Sequence, residues 1–266
     1  MFNPQPIVPA QTACKCCGGN SVLFGVVDFN KNCEMRRKSP LPLSGIPIYY
    51  HRCTRCAFIF TVAFDGFTNQ QFLEVIYNEQ YALVDPEYLD VRPRGNADFI
   101  RSQFSAHKSI SILDYGGGNG RLASLLRLAG FTKVDTYDPF VSEFATRPAE
   151  RYDCIVCFEV MEHSNHPRET VAEVDSLLKP DGMLLFSTLL QPPDIDTAGV
   201  AWWYIAPRNG HLSLFSQAAL AAVINSFGLQ FGSFNSNLHL AFRRQLPAFA
   251  QHFAAAPPPA QGQPVR

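Results

Sequence analysis

The chain has 266 residues, 47% of them hydrophobic and 17% charged, which is apolar enough for one sizeable core and a small accessory unit. Its formal net charge is −1 and its basic residues form no run, which argues against a nucleic-acid partner. No stretch reaches the roughly 18 apolar residues of a membrane span, and the first residues lack the basic and apolar regions of a secretion leader, so a cytoplasmic address is expected.

Residues 1–65 are rich in Pro, Gly and Cys, and the short apolar runs at 21–27 and 57–64 predict small strands with too little core to stand without a staple. Two C-x2-C pairs, Cys14/Cys17 and Cys53/Cys56, supply one. Each pair closes a tight turn with two thiolates on one side, the arrangement of a tetrahedral zinc site in a small ribbon. Cys16 is then a spare thiol and His51 a neighbouring or substitute ligand; the plain alternative is unligated thiols. Residues 66–110 read as a helical linking segment. Phe72, Val75, Ile76 and Tyr77 recur at helical spacing over 69–81, and Phe99, Ile100 and Phe104 over 97–107.

From residue 111 the pattern changes to strands alternating with helices. Strands are predicted at 111–115, 133–138, 152–160 and 182–190, and helices at 121–130 and 167–178, the second ended by the turn-forming KPDG at 179–182. The continuous apolar strands predict a doubly wound, mostly parallel α/β sheet over 111–250. Cys154 and Cys157 also read C-x2-C, but three residues apart in a strand they point to opposite faces, so they are expected to be core residues. Residues 254–266 lack apolar periodicity and are expected to form a disordered tail.

The segment Asp114-Tyr115-Gly116-Gly117-Gly118-Asn119-Gly120 closes a strand and opens a helix, so backbone there can approach a ligand at the carboxyl edge of the sheet. Gly118, Gly120 and Ala123 also satisfy G-x-G-x-x-A, which leaves a dinucleotide open as an alternative. Charge favours the other choice. The Asp114 carboxylate would repel a pyrophosphate, whereas S-adenosylmethionine (SAM) brings an ammonium and a sulfonium. Asp138 ends the next strand, where it can accept from ribose hydroxyls, and Pro139 and Phe140 offer an apolar face to adenine. The structural alternative for Asp114 and Asp138 is turn or helix capping.

Taken in order, ILDYGGGNG (112–120), YDPF (137–140), YDCIVCFEVMEH (152–163), LLKPDGMLLFST (177–188) and RNGHLSLFS (208–216) resemble the class I methyltransferases of the group containing the ubiquinone-biosynthesis O-methyltransferases, over roughly residues 95–245. The resemblance implies that Asp114, Gly116 and Gly118, with Tyr115 in the same loop, line the methionine part of SAM. It further implies that Asp138 holds the ribose, and that Phe158, Glu159 and Met161 flank the cofactor near the transferred methyl. In one respect the chain departs from the group. Only 13 residues separate Asp138 from Tyr152, too few for the helix, strand and adenine-contacting acidic residue usual there, so the adenine edge is expected to be open or met by backbone near Phe144. The N-terminal cysteine pairs resemble the zinc-binding domain of bacterial sugar C-methyltransferases.

His211 and Tyr204 are the expected catalytic pair. His211 follows WWYIAPRNG in a late loop and would serve as base or acceptor-orienting group, against a structural histidine or, for Tyr204, aromatic packing beside Trp202 and Trp203. His163 could also reach the cleft, and His239 is expected in a strand. The reading is therefore a SAM-dependent methyltransferase acting on a small-molecule acceptor, a sugar or another small metabolite. Two alternatives stay open: a non-catalytic SAM-fold protein that docks partners through its zinc ribbon, and an NAD-dependent dehydrogenase.

Overall fold

A computed structural model describes residues 11–36 and 41–255; the expected leaderless N-terminus and residues 256–266 of the expected tail lie outside them. In chain order, β1 (Ser21–Asp28), β2 (Pro47–Cys53) and β3 (Ile59–Thr61) lead to α1 (Asn69–Val75), α2 (Tyr81–Val84) and α3 (Val91–Gln103). Then come β4 (Ser111–Tyr115), α4 (Arg121–Leu128), β5 (Lys133–Tyr137), β6 (Tyr152–Phe158), α5 (Pro167–Leu177) and β7 (Leu178–Ser187). The chain closes with α6 (Ile195–Ala198), β8 (Ser213–Leu214), α7 (Gln217–Asn225), β9 (Gln230–Ser233), β10 (Leu238–Phe242) and α8 (His252–Ala255).

Six strands form one sheet in the order β5-β4-β6-β7-β10-β9. The first four are parallel, and β10 and β9 are antiparallel additions. This is the doubly wound arrangement expected from the alternating pattern. One face packs against α3 and α4 through residues such as Phe104, Leu126 and Val156; the other packs against α5 and α7 through Val171, Val174 and Leu220. Cys154 and Cys157 are both fully buried, one on each face, as strand alternation requires. The short run after Asp138 holds no further strand, so β5 is an edge of the sheet.

The N-terminal strands form a second, antiparallel sheet, β1-β2-β3-β8. Its last strand comes from far down the chain: Ile59 pairs with Leu214 and Phe60 with Ser213. Tyr50, fully buried, donates to the His211 carbonyl at 2.7 Å. Ile48, Tyr50 and Ile59 share one core with Phe72, Ile76, Tyr204, Ile205 and Leu212. The unit expected over 1–65 therefore borrows both a strand and core residues from the segment 195–214.

Three local expectations need correction. The helix expected over 69–81 is two helices, because Asn78 caps the break: its side chain donates to Glu74 O at 2.9 Å and accepts from the Gln80 amide at 3.1 Å. The next helix starts at Val91 rather than 97, since Pro93 falls in its first turn, where a missing N–H costs nothing. KPDG does not terminate an element between α5 and β7. The strand begins at Leu178, which pairs with Tyr152, and resumes with Met183 opposite Cys154, so 179–182 bulge out of the ladder. Among the described residues, Ala254 and Ala255 still belong to α8, and no helix is long and apolar enough to cross a membrane.

Candidate active site

The carboxyl ends of β4, β5 and β6 open into a cleft of about 980 Å³. Its floor carries Asp114, Tyr115, Gly116, Gly117, Gly118, Asp138, Pro139, Phe140, Phe158 and Glu159. Its other wall comes from the segment before the sheet: Phe67, Phe72, Tyr77, Tyr81, Tyr88 and Arg92.

The glycine loop is shaped by what lies beneath it. Gly116 has φ +71°, and a Cβ there would stand 2.4 Å from Val160 Cγ2. At Gly117 a Cβ would stand 2.4 Å from Asp114 Oδ2, so this glycine, not singled out in the sequence, lets the loop close over the carboxylate. Asp114 is 4% exposed and its Oδ2 has no partner. Burial, with the nearby charge of Asp138, pushes its pKa up to about 7. Asp138 accepts from the amides of Gly118 and Phe140, each at 2.9 Å, and burial raises its pKa as well. Its remaining lone pairs are what a ribose could use. Glu159 sits at φ +54°, a left-handed conformation rare for a side-chain-bearing residue. The Ser187 hydroxyl donates to its Oε1 at 2.8 Å. Near Gly120 a phenyl ring, Phe144, covers the start of α4 instead of lining the cleft, and Arg147 with Glu169 and Glu173 of α5 also line the cleft.

Three sequence expectations move. Met161 is 1% exposed and packs into the core face that also holds Cys157, because a short 3₁₀ turn over Met161–His163 points it inward. His211 and Tyr204 are buried behind the cleft and do not line it. His211 Nδ1 is 2.8 Å from Tyr204 O, and burial pushes its pKa down to about 3. The Tyr204 hydroxyl donates to Glu162 Oε1 at 2.6 Å. What faces the cleft is His163, whose ring lies 5.0 Å from that of His211. Burial holds His163 well below the ordinary histidine range, so it is neutral, and its Nδ1 has no hydrogen-bond partner. Glu162, fully buried, is pushed up to about 8 by burial and by Glu159. Ligand atoms of Glu162, His163 and His211 lie within 4.8 Å of one another, a nitrogen and oxygen set of the kind that suits a divalent cation.

The four expected zinc ligands do come together. Sγ atoms of Cys14, Cys17, Cys53 and Cys56 lie within 4.8 Å of one another, with Cys14 to Cys56 at 3.6 Å and Cys17 to Cys53 at 3.5 Å. A tetrahedron with zinc–sulfur arms of about 2.3 Å has edges of about 3.8 Å, so the donor set fits the ion. The amides of Arg55 and Cys56 each donate to Cys53 Sγ at 3.4 Å, and Arg55 Nε approaches Cys17 Sγ at 3.4 Å. Hydrogen bonds from the Cys16 and Cys56 thiols hold Cys14 well below the ordinary thiol range, while burial pushes Cys16 up and keeps it a thiol. Both turns end in a left-handed residue, Gly18 at φ +70° and Ala57 at φ +58°. His51 stands outside the sulfur group, with both ring nitrogens buried and unpartnered.

A family model described as a methyltransferase domain matches residues 88–232, more than half of the chain. The chain is similar to the ubiquinone biosynthesis O-methyltransferase of Xanthomonas axonopodis pv. citri, 31% identical over 142 residues, which cover 51% of this chain and 59% of that protein. The protein of the same name from Salmonella paratyphi A is 35% identical over 81 residues, covering 30% and 34% respectively. The chain thus spans less than two thirds of either relative. An O-methyltransferase family protein from Burkholderia thailandensis shares the fold, with a TM-score of 0.51 and 17% identity over 68% of this chain and 64% of that one.

Proposed function

The chain belongs to the methyltransferase-domain family, and on that premise we propose that it is a SAM-dependent methyltransferase of a small-molecule acceptor, with a structural zinc in its N-terminal unit. The observation that carries this reading is where the glycine-loop amides point. Gly116 and Gly117 donate to Tyr137 O, Gly118 to Asp138, and Gly120 to Gly117 O. A pyrophosphate would need such amides free. A ligand bearing an ammonium and a sulfonium needs instead a carboxylate, and Asp114 holds an unpartnered oxygen under the loop.

Bound SAM would supply a methyl already activated by its sulfonium, leaving the protein to align the acceptor and remove its proton. In this reading the sheet of 111–250 holds the cofactor, residues 66–110 cover it, and the sulfur cluster anchors the N-terminal strands. Phe67, Phe72, Tyr77 and Tyr81 offer flat apolar faces suited to a ring, sugar or aromatic, and the relatives' names support a hydroxyl acceptor. His163, which lines the cleft where His211 does not, takes in this reading the proton-accepting role expected of His211.

Titration calorimetry with SAM, S-adenosylhomocysteine (SAH) and NAD tests the cofactor. SAM and SAH should bind and NAD should not, and Asp114→Asn should weaken SAM by roughly ten- to a hundredfold, a cost of about 1.4–2.8 kcal/mol. Binding of NAD in preference to SAH would overturn the proposal.

A further inference from the structure

Lys15 lies between two of the zinc-site cysteines, in the turn Cys14–Cys17, yet its side chain is only 10% exposed. Its ammonium is held by three oxygens from two distant parts of the chain. It pairs with the Asp65 carboxylate and donates to Thr61 O at 2.8 Å and to Asn165 O at 2.9 Å. It also sits 5.6 Å above the Phe60 ring. Asp65 follows β3, and Asn165 precedes α5; both line the cleft. The same joint is tied by Asn165 Nδ2, which donates to Phe64 O at 3.2 Å, and by His166 Nε2, 3.2 Å from Asp65 O. Arg168 adds a bond to the Cys16 carbonyl at 3.3 Å.

A buried ammonium is costly unless its hydrogen bonds are complete, so this one is placed for a purpose that a solvated lysine would not serve. The turn that carries it is joined to Cys53–Cys56 by the sulfur cluster, with help from Arg55 and Thr54, which reach the carbonyls of Cys17 and Asn20. A metal gathering the four sulfurs therefore also sets where the Lys15 ammonium stands, and through it where Asp65 and Asn165 stand.

We propose that Lys15 is a positioning residue that couples the sulfur cluster to the cleft, so that zinc and a cleft ligand stabilise each other's binding. This rests on the cofactor reading above. Because such coupling is reciprocal, it can be read from the metal side without any turnover. The experiment follows transfer of zinc from the intact protein to a chromogenic chelator, with and without saturating SAH. Wild type should lose zinc at least fivefold less readily when SAH is bound. Lys15→Met should retain stoichiometric zinc and bind SAH, but lose that protection. Should that variant not fold, Asp65→Asn, which keeps both carbonyl acceptors, should halve the protection or more. Equal protection in wild type and variant, or none in wild type, would overturn the inference while leaving the cofactor reading intact. Failure of SAH to bind wild type at all would remove both.

Discussion

β6 and β1 show how differently the two sheets are held. Every residue of β6 but Asp153 is buried, and the strand is flanked by parallel neighbours on both sides. β1 is an edge strand that leaves Val22 51%, Leu23 45% and Val26 47% exposed. Burying apolar side chains on two faces is enough to hold the first. The second buries β3 and one side of β2 but leaves β1 largely exposed, and it gathers four sulfurs, a borrowed strand and a buried lysine besides its apolar contacts. The large sheet thus relies on burial at nearly every strand position, whereas the small one adds point contacts at the edge where burial is thin.

The harshest way to break that contrast is to remove the sulfur cluster. Structural zinc contributes on the order of 10 kcal/mol in small zinc modules. Chelation, or Cys53→Ser, should therefore abolish amide-exchange protection in β1 to β3 while β4, β6 and β7 stay protected. Metal analysis should find one zinc per chain beforehand. Full protection of β1 to β3 in metal-free protein would show that the apolar contacts suffice there too.

A gentler probe concerns the glycine loop of the large sheet. Gly117→Ala would push a methyl to 2.4 Å from Asp114 Oδ2, whereas at Gly118 nothing lies within 4 Å of an added Cβ. SAH affinity should fall by roughly ten- to a hundredfold in Gly117→Ala, and less in Gly118→Ala, where only the left-handed backbone, worth about 1 kcal/mol, is strained. Equal effects would mean that Asp114 does not support the bound ligand.

Where the two sheets meet, acidity should discriminate them. His211 titrates at about 3 when folded, against about 6.5 when unfolded, so between those values the unfolded state binds the extra proton. Its contribution is complete above pH 6.5 and declines as pH falls, by about 2 kcal/mol at pH 5. Melting curves at pH 7.5 and 5 should show a smaller acid loss in His211→Asn than in wild type; an identical slope would place the sensitivity elsewhere. The smallest effect is expected at Ala57, where glycine should relieve the left-handed strain at φ +58° and raise stability by about 1 kcal/mol, visible as a higher melting temperature. An unchanged or lower value would mean that the methyl is compensated by packing.

What could be read in advance follows the range of the interactions. The unit of β4, glycine loop and α4, and the C-x2-C turns, are local patterns whose residues meet within a few positions, and they appear where expected. Chain separation hid the rest. A two-residue strand at 213–214 carries no periodicity, so nothing in the sequence showed that it closes the N-terminal sheet and buries His211 with it. Met161, expected near the cofactor from the resemblance alone, lies in a 3₁₀ turn that directs it into the core, a direction that no local sequence period reveals. Gly117 and Lys15 carry no signal in the sequence because their partners, Asp114 beneath the loop and Asn165 before α5, meet them only once the chain is folded.

The late strand β8 also has a consequence in time. Ribosomes add roughly 5–20 residues per second, so about 150 residues between β3 and β8 amount to roughly 8–30 s of synthesis. Throughout that interval the four cysteines have emerged but the sheet behind them is incomplete, and β3 offers an unpaired edge. A metal captured early would tie the ends of β1 and β2 together and shield the four thiols from oxidation until Leu214 arrives to close the edge.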